Sequence, residues 1–328
     1  MAFDNIKLEK GLYTTGKSFT DALESVDPSE NYRGTSLEGL DAYERQLKRF
    51  DIKVSGRDSD TISKFFSTTD AAVLFPEYIS RAVKTGMDRN DKVEKVIATT
   101  TDIDSLDYRS IKFSDSMEFS LLEVEEGGVF EDCQIVLESE LTPLKKYGRM
   151  LSASYEAIKY QKLDVFSIAL KHIGETISND QFVDALATIG ASPDVKSIDI
   201  DYNNISYATL VEMWKILSPF NFNTLIASKE IVAKLLLIPE MRDSNAGLDF
   251  HGTGKMITPF GAEVLCPNLD GSENLLVGMD KNNAVERVQA GGVITEFDKL
   301  IDRQIERAAI STIVGFSPIY GGAVVSSK

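Results

Sequence analysis

Residues 163–190 read LDVFSIALKHIGETISNDQFVDALATIG, and this stretch decides how the rest of the chain is organised. Phe166, Leu170, Ile173 and Ile177 recur at steps of four, three and four, which places them on one side of an α-helix. Phe182, Leu186 and Ile189 continue the stripe after a step of five, so the apolar face rotates partway along. Glu175, Asp180 and Asp184 lie off the stripe. Asp164 is placed to cap the start by accepting from first-turn amides, and Gly190 to close the far end in the left-handed conformation. The spacing predicts one long helix, able to cross a whole domain. An element so apolar along one side must lie on a sheet or on another helix, and the flanking sequence has to supply that partner.

At 328 residues, with a net charge of −16 and 43% hydrophobic residues, the chain can fill two packed lobes and is not disordered by composition. The longest apolar run, Ala233 to Ile238, is broken by Lys234 and falls far short of the roughly 20 residues of a membrane helix. Met1 to Lys17 mixes both signs of charge and lacks the apolar centre of a signal peptide. Cys133 and Cys266 lie far apart, which suits a reducing compartment and provides no metal framework. So acidic a chain is unsuited to general, tight binding of polyanions, although it can enclose one.

Residues 1–70 are polar and turn-rich, with Gly11, Gly16, Pro28, Gly34 and Gly56. One short amphipathic helix is expected over 37–50, from Leu40, Tyr43, Leu47 and Phe50. The segment reads as an arm that becomes ordered against another surface. Pro76 suits the first turn of a helix in which Ile79, Ala82 and Val83 share a side and Gly86 provides the end. Two extended segments, 103–113 and 133–152, flank Glu125-Glu126-Gly127-Gly128 and predict a long hairpin with a bend. A weakly buried two-stranded ribbon is unstable alone and implies a neighbouring chain to lie on.

After the long helix the pattern is that of an α/β lobe. It comprises a strand at 198–200, a helix from Ser206 with Tyr207, Leu210, Val211, Trp214 and Leu217, and a strand at 224–227. A helix at 228–238 stopped by Pro239, a loop with Gly247, Gly252 and Gly254, and strands at 261–266 and 275–279 follow. Long alternating runs occupy 285–314, and 323–326 again has strand character.

No residue receives a catalytic, cofactor-binding or metal-binding role. His172 and His251 are far apart, with no Ser or Cys in a nucleophile setting. Gly252-Thr253-Gly254-Lys255 lacks the first glycine of a phosphate loop, Asp249 standing in its place, and Met256 replaces the magnesium-holding hydroxyl. Asp199-Ile200-Asp201-Tyr202-Asn203 opens like a calcium loop but has Asn204 where glycine is required and Leu210 where a bidentate Glu is required. Asn204-Ile205-Ser206 is a glycosylation sequon by letter only, Ser206 being better used as a helix cap. Trp214, on its apolar stripe, is expected in the core.

The order of these elements resembles the major capsid proteins of tailed bacteriophages with the Hong Kong 97-type fold, over about residues 71–328. The resemblance is carried by the hairpin around 103–142 and by LTPLKKYGRMLSASYEAIKYQKLDVFSIALKHIGETI running into the long helix. NTLIASKEIVAKLLLIPEMRD and ITPFGAEVLCPNLDG belong to the lobe, and ERVQAGGVITEFDKLIDRQIERAAISTIVGFSPIYGGAVV forms the returning strands. It implies an α+β chain with an N-terminal arm (1–70), peripheral-domain segments (71–102, 143–192 with the spine helix, and 282–312), an extended hairpin loop (103–142), and an axial domain (193–281 with the last strand, 313–328).

The resemblance further implies a non-enzymatic subunit without cofactors, self-assembling in the bacterial cytoplasm into an icosahedral shell of pentamers and hexamers. The shell would enclose the double-stranded DNA of a tailed phage or prophage without sequence-specific binding, without a membrane, and with scaffolding, portal and decoration proteins as partners. Some such shells weld subunits through a Lys–Asn isopeptide bond using an Asn in the returning strands. Here the last asparagines, Asn282 and Asn283, precede those strands. An encapsulin-like nanocompartment shares the fold and encloses a cargo protein, but its N-terminal region should be short and helical. A cytoplasmic α/β enzyme would need a clustered acid, base or nucleophile, which the sequence does not offer.

Overall fold

The computed structural model describes residues 4, 6–14, 18–89, 91–113, 123–128, 135–242, 255–268, 274–300, 302 and 304–327. Its helices are α1 (Phe19–Val26), α2 (Ala42–Arg49), α3 (Thr69–Ala72), α4 (Phe75–Arg89), α5 (Tyr155–Tyr160), α6 (Leu163–Ala191), α7 (Tyr207–Leu217), α8 (Lys229–Leu235), α9 (Pro239–Arg242) and α10 (Lys281–Ala284). The strands are β1 (Thr99–Ile103), β2 (Ile111–Phe113), β3 (Ile135–Leu137), β4 (Leu144–Ser154), β5 (Lys196–Ile198), β6 (Thr224–Ala227), β7 (Glu263–Leu265), β8 (Leu276–Met279), β9 (Val285–Ala290), β10 (Ile294–Leu300), β11 (Ile305–Pro318) and β12 (Val324–Ser327). Two compact units result, one of residues 1–90, 148–177 and 293–312, the other of 91–147, 178–292 and 313–328.

The long helix, α6, runs for 29 residues as its stripe requires. Leu170, Ile173 and Ile177 are buried in the first half, and Phe182, Ala185 and Ile189 in the second. A step of five advances about 140° beyond a full turn, and this step falls where the helix passes from one unit to the other, at Ile177–Ser178. Its ends differ from expectation. Asp164 lies inside the first turn, and Gly190 is helical, the helix continuing to Ala191.

In the first unit α4 packs on α6, and the contact explains Gly86, which does not end its helix. A Cβ on Gly86 would stand 2.0 Å from the Lys171 carbonyl oxygen, and one on Gly174 would stand 2.1 Å from that of Val83. Each helix therefore meets the other at a glycine, where any side chain would strike backbone. Phe65, Phe75, Tyr78 and Phe166 form an aromatic cluster beside the crossing, with centroids of adjacent rings 5.3–6.5 Å apart. Tyr78 Oη donates to the Leu163 carbonyl at 2.6 Å.

The N-terminal segment is not the core-free arm expected. Residues 18–67 fold within the first unit, where Phe19, Leu23, Tyr32, Tyr43 and Leu47 are buried. Their centre is ionic. Arg45 is 0% exposed; its Nε donates to Asp27 Oδ2 at 2.9 Å, and its Nη1 to Ser29 Oγ at 2.8 Å and the Leu40 carbonyl at 2.7 Å. The guanidinium also lies 4.4 Å from the Tyr32 ring centroid. Burial alone would raise the Glu24 carboxyl, but hydrogen bonds from Ser29 and Ala42 and the charge of Arg45 hold it below its ordinary value. A segment built around a paired guanidinium shows few periodic apolar positions, which is why it reads as polar. Of the helix expected over 37–50 only Ala42–Arg49 is α-helical, because Asp41 and Glu44 form a capping box that fixes its start.

In the second unit a five-stranded sheet runs β5-β12-β8-β6-β7. Successive residues point to opposite faces, and both faces are covered. Leu225, Ala227, Leu276 and Val325 share a core with Leu210, Met213 and Leu217 of α7 and Ile231 and Leu235 of α8. Ile226, Val277, Met279 and Val324 share another with Phe182, Ala185 and Ile189 of α6 and with Val314 and Phe316 of β11. Ser206 occupies the N-cap position of α7, its N–H donating to Thr209 Oγ1 at 3.4 Å.

Trp214 is corrected by this packing. Leu210, Met213 and Leu217 take the buried side of α7, which leaves Trp214 56% and Val211 39% exposed. At about 100° per residue Trp214 and Val211 lie on the side of Leu210 away from Met213, so the expected stripe is centred to one side of the face that is buried.

β1 pairs in parallel with β9, from Thr99↔Glu286 to Ile103↔Ala290. The 14 residues of β11 pair with β10 in the first half and with β9 in the second, and β4 pairs with β11 as well. The expected extended segments 103–113 and 133–152 are therefore broken. Of the first, only Ile103, the last residue of β1, and 111–113, in β2, are in strands, and the described part of the second divides into β3 and β4.

Candidate assembly surface

β2 and β3 form a separate two-stranded antiparallel ribbon, with Ile111 opposite Leu137 and Phe113 opposite Ile135. At its root Glu138 N–H donates to the Ser110 carbonyl and Thr142 N–H to the Tyr108 carbonyl, both at 2.9 Å. The hydroxyls of Ser110 and Thr142 share a buried hydrogen bond of 3.0 Å. Beside this root Ile111 is 45% and Leu137 65% exposed, with Leu106 and Leu141 exposed nearby. Two strands bury too little to be stable by themselves, so the arrangement suits a surface that is completed by another molecule. Glu125-Glu126-Gly127-Gly128 makes a turn closed by Gly128 N–H to the Glu125 carbonyl at 2.8 Å, and Gly127 takes φ +83°, which glycine alone adopts readily.

Among the described residues, those weighed for chemistry are not brought together. His172 is exposed on α6 with Nδ1 3.6 Å from Glu175 Oε2, while His251 and Cys133 lie outside the described residues. Asp201 closes a local turn, its Oδ1 accepting from Asn203 N–H at 3.0 Å and its carbonyl from Asn204 N–H at 3.0 Å. Of the loop resembling a phosphate cradle, 252–254 lie outside the described residues, and Met256 packs against the lobe core. Among the described residues no group of three His, Cys, Asp or Glu side chains could hold a metal ion, and no helix is long and apolar enough to cross a membrane. Asn282 and Asn283 are engaged locally, the Asn282 N–H donating to Asp280 Oδ1 at 3.2 Å and Asn283 Nδ2 to Asp280 Oδ2 at 2.9 Å.

The sequence model of a family described as phage capsid protein matches residues 138–316, more than half of the chain. The chain belongs to the phage capsid protein family. It is a shell-forming major capsid protein, a component of the virion. No curated protein matches the sequence. Among solved structures, a virus-like particle from Pyrococcus furiosus is 15% identical, covers 77% of this chain and 98% of its own, and superposes with a TM-score of 0.53. A Mycobacterium phage Che8 structure is 11% identical, with coverages of 68% and 85% and a TM-score of 0.50. The capsid of cyanophage P-SCSP1u is also 11% identical, with coverages of 71% and 86% and a TM-score of 0.51.

At these identities the likeness is one of fold, and the fold is of the Hong Kong 97 type. It does not by itself separate a virus from a compartment; of the expected separator, a short and helical N-terminal region in the compartment, residues 18–67 contain the helices α1 and α2 but are not short. Family membership favours the phage capsid over the encapsulin-like alternative.

Proposed function

We propose that the chain is the major capsid subunit of a tailed phage or prophage, assembling in the bacterial cytoplasm into an icosahedral shell of pentamers and hexamers around double-stranded DNA. The β2–β3 ribbon carries this reading, since Ile111 and Leu137 are exposed in one copy and a closed shell provides a neighbour for each. On this reading 103–142 is the extended loop that lies on the next subunit, and 193–281 with 313–328 forms the axial domain meeting its copies at the five-fold and six-fold positions. The peripheral domain takes 71–102, 143–192 and 282–312, and the helical segment 18–67 joins it instead of reaching outward as an arm. The subunit has no catalytic role. A net charge of −16 suits a wall that repels packed DNA weakly and reads no sequence. Scaffolding, portal and decoration proteins are its further partners.

Negative-stain microscopy of the purified protein tests this reading, with closed shells expected. Limited proteolysis should cut 103–142 in free subunits and spare it in shells. A protein that stays monomeric under all assembly conditions, or equal cleavage in both states, would refute the proposal.

A further inference from the structure

Where the ribbon leaves its sheet, one residue carries three connections. The Tyr108 carbonyl accepts from Thr142 on the returning side, its chain continues into β2, and its phenol donates to Glu286 Oε1 at 2.7 Å. Glu286 lies on β9, is 7% exposed, and also accepts from Thr101 Oγ1 of β1 at 2.5 Å. Among the described residues no lysine or arginine lies within ion-pair distance of it. A carboxylate buried without a cation depends on its hydrogen-bond donors to replace water, and here both are hydroxyls, one from the sheet and one from the ribbon root.

We propose that Tyr108 and Glu286 are positioning residues for assembly: their hydrogen bond fixes the direction in which the ribbon leaves the β1–β9 strands. The inference rests on the reading of the ribbon as an intersubunit contact. The Ser110–Thr142 bond holds the two sides of the ribbon to each other, whereas the Tyr108 phenol ties both to the sheet. Each residue of extended chain beyond the root adds about 3.3 Å of lever arm, so a small change of angle at Tyr108 displaces the exposed Ile111 and Leu137 from a neighbour's surface.

The test uses the full chain with Tyr108→Phe, which removes one hydroxyl and keeps the ring, and Glu286→Gln, which keeps the side-chain shape. Hydrogen exchange is measured on free subunits and shell diameter by microscopy. In both variants exchange should rise about tenfold at 108–113 and 135–142, remain unchanged at 99–103 and 285–290, and be accompanied by fewer shells or shells of mixed diameter. Unchanged ribbon exchange in Tyr108→Phe would overturn the proposal. So would faster exchange throughout the unit, which marks an ordinary structural bond, or a looser ribbon with wild-type shells. Leu137→Asp separates this from the underlying reading: normal shells from that variant would remove the ribbon from assembly whatever the clamp does.

Discussion

The lobe sheet and the β2–β3 ribbon are both made of short strands in one unit, yet they solve the burial problem in opposite ways. Every residue of β6 and β8 is buried, because α7 and α8 cover one face and α6, β9 and β11 the other. In the ribbon, Ile111 and Leu137 face each other across the pair and both are exposed. A fully buried Val, Leu or Ile contributes about 1.5–3 kcal/mol, so the lobe draws its stability from its own chain. Ile111 and Leu137 gain little of that contribution from the described residues of their own chain. On the proposed reading, the contrast separates strands that make a subunit from strands that join subunits into a shell.

The largest break in that comparison is Leu225→Asp, which places a charge between the sheet and α7 where no cation waits. We expect a loss of about 3 kcal/mol or more and no soluble subunit, read from soluble yield and thermal melting. Gly278→Val should act in the same direction but less. Its Cβ would stand 2.5 Å from the Phe222 ring and 3.1 Å from the Met213 methyl, side-chain ends that can shift, so about 1–3 kcal/mol of overpacking is expected. Leu137→Asp is the counterpart on the ribbon and should have the smallest effect on the free subunit, within about 0.5 kcal/mol by chemical denaturation. Its shell yield should nevertheless collapse. Equal destabilisation by Leu225→Asp and Leu137→Asp would erase the distinction between the two regions.

The N-terminal segment also bears on the stability of its own unit. Removing residues 1–60 would strip Tyr13 from Val73, Thr20 from Glu77 and Asp41 from Arg81. The remainder should therefore melt at a lower temperature than the full chain, and calorimetry of the truncated chain checks this.

Much of the architecture was legible in local pattern. The stripe from Phe166 to Ile189 determined α6 almost to its ends, and its step of five marked where the helix changes units. The strand at 224–227 and the extended character of 111–113 and 135–137 were likewise readable, since helical and strand periodicities are properties of neighbouring residues, whereas the helix expected over 228–238 ends at Leu235 and Pro239 opens α9 instead of stopping that helix. Tertiary structure alone decided the rest. Gly86 reads as a helix end until Gly174 is found across from it, and Trp214 reads as core until α7 is seen to bury only one side. Arg45 reads as surface until Asp27, Ser29 and Leu40 close around it, although the Asp41–Glu44 capping box beside it was a signal in plain sight. Tyr108 and Glu286 are 178 residues apart, and no periodicity pairs them. Such contacts depend on which distant surfaces the fold brings together, and spacing within one segment carries no record of that.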